Sequence, residues 1–307
     1  MITTLVVSVP LAAALFAVTL LALLQRRRLR RLTSSSALHQ VLGDAHASWV
    51  VDHALKTLVE ACHREPRLVP GVVMVVLHDT AIAVHVSSPT AHPPAPWRTS
   101  ADGLVWTTDI VAVQAAQLAA TTANPYTGLV TLGVSDNGRV FVNLDEAHGL
   151  VSIGGDPESR RLVAARWIAE APARPWSTGE AHLVGLDANG ASAVTVGTPL
   201  HQLADDVAAG SPGFSVVDRL ADGATTDRLV QALETHGCRW PVVVASGVPD
   251  ARWRFTAHTN GWVTSDFLPA ARWNPDAAAL PAPAAAAAPA EGDAKKRGRG
   301  ARAEVSA

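Results

Sequence analysis

A run of twenty residues without a charged side chain lies near the start of the chain and limits its possible architectures more than any other feature. The run covers residues 5–24 and reads LVVSVPLAAALFAVTLLALL. As an α-helix it would be about 30 Å long, the thickness of the hydrocarbon core of a bilayer. Ser8 and Thr19 can return their hydroxyls to the helix backbone, and Pro10 is tolerated in a membrane span. The sequence therefore predicts one transmembrane helix.

The positive charges lie on one side of this run. The residues before it, MITT, carry no charge, whereas RRRLRR follows it. A cleavable secretory signal has the reverse arrangement, and a buried core helix is the other alternative. By the positive-inside rule we expect the N-terminus outside and residues 26–307 in the cytoplasm, with the chain in the plasma (inner) membrane. The arginines expected at the anionic membrane surface are Arg26, Arg27, Arg28, Arg30 and Arg31.

The part of the chain between its two basic ends is acidic. Residues 32–290 contain 24 of the 27 acidic residues and 15 of the 25 basic ones, a net charge of −9. Hydrophobic residues make up 48% of the chain, which excludes a wholly disordered protein, and the overall net charge of −2 excludes a polycation that coats nucleic acid. A basic cluster near the C-terminus is either a contact for a polyanion, such as DNA or the inner leaflet, or a solubilising end. Its members are Lys295, Lys296, Arg297, Arg299 and Arg302.

Changes in composition divide the chain into four segments. Residues 1–31 form the predicted membrane helix with its basic flank, and residues 32–66 form a helical linker with apolar side chains three and four apart. Residues 67–275 are expected to fold as a cytoplasmic α/β domain. Residues 276–307 are rich in alanine and proline before the basic cluster, a composition typical of disorder.

The first part of the α/β domain carries the signals of β-hairpins. The β-rich runs GVVMVVLH and AIAVHVSS are joined by Asp79-Thr80, and LVWTTDI at 104–110 predicts another strand. Asn137-Gly138 separates GLVTLGV from RVFVNLD, and Asn-Gly in such a hairpin requires positive φ at both residues. The proline-rich stretch PTAHPPAPW at 89–97 predicts a surface loop.

The second part of the domain alternates strands with helices. Strands separated by crossover helices pair in parallel, so we expect an α/β fold with a partly parallel sheet. The predicted strands cover residues 150–155, 181–187 and 241–247. The predicted helices cover residues 156–174, 199–210 and 225–237.

Residues 154–161, GGDPESRR, lie where a phosphate-binding loop would lie, between a strand and the start of a helix. A working loop of the GxxxxGK[ST] type needs a second glycine, a lysine and a hydroxyl, and here Asp156 and Glu158 would repel phosphate. A structural turn is therefore favoured, in which Asp156 caps the helix and Pro157 opens it. The residues that a nucleotide would use are Gly154, Gly155, Ser159, Arg160 and Arg161.

The run NLDEAHGLVSIGGDPESRRLVAARWIAEAPARPWSTGEAHLVGLD resembles a segment that recurs in uncharacterised actinobacterial membrane proteins, which carry LysM or bacterial-transcriptional-activator domains elsewhere. The hairpin LVTLGVSDNGRVFVNLDE, the Gly-Asp turn and the PW dipeptide match that family's pattern, and the resemblance covers roughly residues 45–250. No LysM or transcriptional-activator domain is evident, so those activities are not implied. More distantly, the strand, turn and helix are similar to degenerate ATPase domains of FtsK-like and type VII secretion motors. That similarity implies a P-loop-like fold without its catalytic residues.

Neither the histidines nor the cysteines form a pattern that binds metal. His39, His46 and His53 are seven residues apart, which on one helix places neighbours about 10.5 Å from each other, so a solvated face is the better interpretation. Cys62 and Cys238 form no CxxC pair, and in the cytoplasm we expect both thiols to be free. We therefore expect no metal, no cofactor and no catalytic residues.

Three functions fit these observations. The favoured one is a non-catalytic, single-pass membrane protein whose cytoplasmic domain is a scaffold or interaction module for another protein of a membrane assembly. The second is a membrane-tethered regulator that binds DNA through the basic tail only. The third is a non-hydrolysing nucleotide-binding subunit of a secretion or translocation motor.

Overall fold

A mixed sheet of fourteen strands runs through the computed structural model of the chain, which describes residues 45–177, 180–184, 194–211, 213–221, 223–235 and 240–273. The strands are β1 Val72–Leu77, β2 Ala81–Val86, β3 Arg98–Thr99, β4 Val105–Asp109, β5 Leu129–Ser135, β6 Gly138–Asn143, β7 Leu150–Gly155, β8 Glu180–Val184, β9 Val194–Val196, β10 Gly213–Val217, β11 Val242–Val244, β12 Trp253–Ala257, β13 Trp262–Ser265 and β14 Ala271–Arg272. The α-helices are α1 Ala45–Arg64, α2 Ile110–Ala115, α3 Pro157–Glu170, α4 Leu200–Ala208 and α5 Ala224–Leu233.

The antiparallel half of the sheet comes first in the sequence and has the order β3-β4-β2-β1-β6-β5. Its strands pair as hairpins, for example with Val75 opposite Val84. Helix α1 packs on one face, where the side chains of Leu55 and Leu58 are fully buried. Burial of a leucine stabilises a fold by about 1.5–3 kcal/mol, so the apolar stripe of α1 is a principal part of this core.

The parallel half has the order β12-β7-β11-β10-β8-β9, and each neighbouring pair in it is parallel. Alternate residues of its strands belong to two different cores, as expected for a sheet covered on both faces. Val151 and Ile153 of β7 pack in the core that contains α3. Leu150 packs in the core that contains α4 and α5.

Two short antiparallel strands join the halves into one sheet. β13 pairs with β12, β14 pairs with β13, and β14 reaches β5 through the pairing of Arg272 with Val134. At this junction α3 continues through a 3₁₀ turn at Ala171–Ala173 to two buried residues, Arg174 and Trp176. The indole N–H groups of Trp167 and Trp176 donate to the carbonyls of Thr131 and Leu129 on β5, each over 2.9 Å.

A buried ionic network also crosses the junction. Arg174 donates to Glu170 Oε1 through its Nε over 2.9 Å and through its Nη2 over 2.5 Å. Its Nη2 also donates to the hydroxyl of Thr131 on β5 over 3.0 Å, and its Nη1 donates to Ser48 on α1. Because Glu170 is fully buried, its charge depends on these partners and on Arg166 Nε at 3.9 Å from its Oε2.

The α/β fold with hairpins and a partly parallel sheet is confirmed. The strands predicted at 71–78, 81–88, 104–110 and 150–155 are present as β1, β2, β4 and β7, and the helices predicted at 156–174, 199–210 and 225–237 are present as α3, α4 and α5. Two details differ. Ile110–Ala115 form α2, where the sequence was expected to end a strand, and the hairpin β12–β13 with β14 was not predicted at all.

The turn between β5 and β6 also corrects an expectation. The hairpin is present, but the two residues between its strands are Asp136 and Asn137, and Asn137 does not have the positive φ that Asn-Gly predicted. Gly138 does, with φ +130°, as the first residue of β6. The register of this pair is also irregular between Thr131 and Gly133.

No helix within the described ranges is long and apolar enough to cross a bilayer. The predicted span at residues 5–24, the first part of the linker at 32–44 and the tail at 276–307 lie outside those ranges.

Candidate functional site

The carboxyl ends of the parallel strands meet at one edge of the sheet. Numbered in chain order as β7, β8, β10, β11 and β12, these five strands lie in the order 5-1-4-3-2. The helix that follows β7 packs on one face and the helix that precedes β11 packs on the other. In open α/β sheets ligands bind outside the carboxyl ends of strands at such a reversal, so the ends of β7, β10 and β11 form the candidate site.

The connection from β7 to α3 is a single residue. β7 ends at Gly155, α3 begins at Pro157, and Asp156 alone lies between them. Gly155 has φ +95°, and a Cβ there would collide with the backbone carbonyl of Ala257 on β12. Only glycine accepts both conditions without strain.

Asp156 caps α3. Its Oδ2 accepts the backbone N–H of Ser159 over 2.9 Å and the hydroxyl of Ser159 over 2.8 Å. These two hydrogen bonds, the backbone one first, lower the pKa of Asp156 because they favour the carboxylate. The predicted cap and the predicted proline at the first helical position are both confirmed.

The cap takes up the amides that a phosphate would need. The N–H of Asp156 donates to the carbonyl of Ala257 over 3.0 Å, and that of Arg160 donates to the carbonyl of Asp156 over 2.9 Å. The N–H of Ser159 is used by the cap, and Pro157 has none. A phosphate loop instead presents several free amides around its anion, so the backbone geometry here favours a structural turn.

The two arginines that a nucleotide would use lie on the first turn of α3 and differ in their surroundings. Arg160 is half-buried. Arg161 is 59% exposed, and its Nε lies 3.7 Å from Oδ1 of Asp218, which directly follows β10. Nucleotide binding at Gly154, Gly155, Ser159, Arg160 and Arg161 stays a prediction, because no contact in the structure tests it.

Asp218 is a candidate site residue that the sequence interpretation missed. The signal was available as the apolar run GFSVV followed by an acid, which is the pattern of a strand ending in a carboxylate. In P-loop nucleotide hydrolases an aspartate at the end of such a strand helps to hold magnesium. Here that carboxylate faces the side chain of Arg161.

No protein-family model matches the chain, and no curated protein matches it either. The resemblance of residues 45–250 to actinobacterial membrane proteins stays a prediction.

The end of β11 is tied to β7 beside this edge. Ser152 of β7 donates its hydroxyl to the carbonyl of Ser246 over 3.0 Å and accepts the N–H of Val248 over 3.0 Å. One serine hydroxyl thus fixes the chain as it leaves β11. The connection after β7 is held by hydrogen bonds within the first turn of α3, and the chain after β11 is held by these two bonds to Ser152.

The structure describes few of the remaining residues that the sequence singled out. The arginines at 26–31 and the basic cluster at 295–302 lie outside the described residues, and so does Cys238. Within the described ranges no group of three His, Cys, Asp or Glu side chains could hold a metal ion. Cys62 is a free, buried cysteine, and burial raises the pKa of its thiol.

The predicted histidine face is confirmed only in part. His46 is exposed, as a solvated face requires, but His53 is half-buried. Its ring stacks on Trp49 with centroids 4.7 Å apart, and its Nε2 lies 3.3 Å from the carbonyl of Ala116. His39 lies outside the described residues.

Proposed function

We propose that the chain is a single-pass membrane protein whose cytoplasmic α/β domain acts as a scaffold or interaction module for a membrane assembly, without catalysis of its own. The observation that carries the proposal is the start of α3. The carboxylate of Asp156 and the carbonyl of Ala257 accept hydrogen bonds from the amides that would otherwise cradle a phosphate. A helix start whose amides are already bonded within the chain is suited to a structural role.

The membrane part of the proposal rests on the sequence. Residues 5–24 are uncharged and are followed by five arginines, which the positive-inside rule places in the cytoplasm. Helix α1 begins at Ala45, fourteen residues after Arg31. The α/β domain would then begin close to the inner surface of the membrane, within reach of neighbouring membrane proteins.

A second candidate function is nucleotide binding without hydrolysis. Two observations favour it. In the sheet a single strand, β11, separates β7 from β10, and Asp218 follows β10 at the same edge as Gly155. Binding at this edge would require a nucleotide to displace Arg161 from Asp218. Arg161 is 59% exposed and Asp218 28%, and their nearest charged atoms are 3.7 Å apart, so the pair opposes displacement only weakly.

The two candidates are separated by the melting temperature of the purified full chain with and without magnesium and ATP. For the scaffold we expect no change. A ligand at 100 times its dissociation constant stabilises a protein by about 2.7 kcal/mol, a clear shift in melting temperature. A shift in melting temperature that is lost in the Arg160→Ala, Arg161→Ala variant and kept in an Arg254→Ala control would contradict the scaffold and favour the nucleotide-binding subunit.

The topology is tested by reporter fusions at the C-terminus. We expect a cytoplasmic reporter, and neutral residues in place of Arg26, Arg27, Arg28, Arg30 and Arg31 should give mixed orientation. A C-terminus outside the membrane would contradict the proposal, whatever the result with ATP.

A further inference from the structure

Two aromatic side chains form an exposed apolar surface beside β12 and β13. Phe267 is 46% exposed, and its ring centroid lies 4.9 Å from that of half-buried Trp253. Its other neighbour is the buried ring of Phe255, with centroids 6.3 Å apart. We call Trp253 and Phe267 the aromatic patch. Phe267 therefore contacts one half-buried ring and lies near one buried ring, while nearly half of its surface is exposed.

The edge of this patch is polar. Arg254 Nη2 lies 3.0 Å from Oδ2 of Asp266, and the two side chains are 59% and 70% exposed. An apolar centre with a polar rim is typical of docking surfaces. Exposed aromatic rings in particular bind proline-rich segments, because a polyproline II helix is extended, has no internal hydrogen bonds and loses little freedom on docking.

The chain supplies such a segment a short distance away. After Trp273 it reads NPDAAALPAPAAAAAP, in which Asn274-Pro275 favours a reversal of direction. The backbone N–H of Trp273 donates to the carbonyl of Gly261 over 2.8 Å. Phe267 is six residues beyond Gly261, so the patch lies at most about 20 Å from Trp273.

The length of chain after Trp273 is sufficient to reach the patch. Residues 274–283 span up to about 31 Å as a polyproline II helix, which exceeds the distance to be covered and leaves slack for a path around neighbouring side chains. Leu280, Pro281 and Pro283 are then the first bulky apolar side chains that can arrive there.

We propose that residues 280–283 dock on the aromatic patch of the same molecule. The prolines and Leu280 would cover the open sides of Phe267 and Trp253. Docking would also hold the basic cluster at 295–302 near the acidic domain that precedes it, an arrangement that the opposite charges favour. The inference does not rest on the proposed function, because it concerns a surface away from the edge at Asp156 and Asp218.

The test is photo-cross-linking in the full-length chain. p-Benzoylphenylalanine replaces Phe267, which keeps an aromatic ring in the patch, and the cross-linked residues are identified by mass spectrometry after digestion. We expect cross-links to residues 280–283. The matched control carries the same photo-reactive residue in place of Val111, which is 75% exposed on α2, and we expect no cross-links to residues 280–283 from that position.

A mixture of light and heavy isotope-labelled chains distinguishes docking within one molecule from docking between copies. Cross-links of mixed mass would overturn the proposal in favour of a second copy. Cross-links to lipid, to another protein or to no partner would overturn it as well. In the Pro281→Gly, Pro283→Gly variant the yield should fall to that of the Val111 control, and an unchanged yield would exclude proline-dependent docking.

Discussion

The two halves of the sheet differ in how far apart along the chain their paired strands lie. In the antiparallel half the hairpins β1–β2 and β5–β6 pair strands that are two or three residues apart in sequence. In the parallel half neighbouring strands are distant, and the hydrogen bond from Ser152 to the carbonyl of Ser246 joins residues 94 apart. Local turn chemistry determines the first arrangement, whereas crossovers and buried contacts determine the second.

Buried charge marks the place where the two halves meet. Arg166, Glu170 and Arg174 form a buried ionic network where the halves meet. Such a network contributes little net stability compared with apolar side chains of the same size, but removal of one partner leaves an uncompensated charge. We infer that the network fixes how α1, β5 and α3 meet.

The largest expected effect comes from removal of Arg174. In Arg174→Met the carboxylate of Glu170 stays buried and loses its closest cation. We expect the free energy of unfolding to fall by about 3–5 kcal/mol, measured by urea denaturation. The control Arg254→Met breaks an exposed pair and should cost at most about 1 kcal/mol. Equal losses in the two variants would show that the halves meet without help from the network, and adding Glu170→Gln to Arg174→Met should recover part of the loss.

The next prediction tests whether the halves unfold together. Leu58 of α1 and Leu203 of α4 are both fully buried, one in each half. Each Leu→Ala change should cost about 2–5 kcal/mol, because it removes apolar contacts and leaves a cavity. Since one sheet joins the halves, both variants should shift the same single urea transition. A two-step curve in which each variant moves a different step would show two independent units.

A smaller effect is expected at the turn that only the parallel half contains. Gly155→Ala places a Cβ against the carbonyl of Ala257 at φ +95°, so we expect a loss of about 3 kcal/mol. Gly210→Ala is the matched control, since Gly210 also has positive φ (+72°) but open space around it, and about 1 kcal/mol is expected. Thermal unfolding of both variants measures the difference. Equal losses would mean that the close approach of β12 does not determine the residue at 155.

The smallest effect is a pH dependence in the antiparallel half. Burial lowers the pKa of His85, a nearby Asp102 opposes this shift, and His78 adds to it. The folded state therefore disfavours the charged imidazole, so stability present above about pH 6.5 is lost as the pH falls below that value. We expect a smaller difference in melting temperature between about pH 7.5 and about pH 5.5 in His85→Gln than in the wild type. The exposed His46→Gln is the control. If it reduced the pH dependence of the melting temperature equally, that dependence could not be assigned to His85.

Most of the fold follows from signals that lie close together in the sequence. Asp156 and Pro157 predicted the start of α3, because capping depends on residues within one turn. Asn260-Gly261 lies between WRFTA and WVTS and is the same kind of signal as Asn137-Gly138, but it was overlooked and the hairpin β12–β13 was not predicted. Helix α2 has only six residues, too few for a helical period to be recognised.

The backbone turn of the candidate site could be predicted from the sequence, but the pairing of its charged side chains could not. Gly155 and Asp156 belong to one local turn, whereas the pairing of Arg161 with Asp218 depends on the order of strands in the sheet. The buried partnership of Arg174 with Glu170 could be suspected from their spacing of four, but its contacts with Thr131 and Ser48 come from other elements. Long-range pairings of this kind require the topology first.

The narrow join made by β14 determines how the domain would respond to mechanical force. β14 contributes two residues, and only Arg272 is paired with β5. A force applied at Trp273 would act first on those few bonds, while α1 at the other end of the described chain is held by a large apolar core. Under tension β14 would separate from β5 before α1 leaves its core, and the antiparallel half would stay folded.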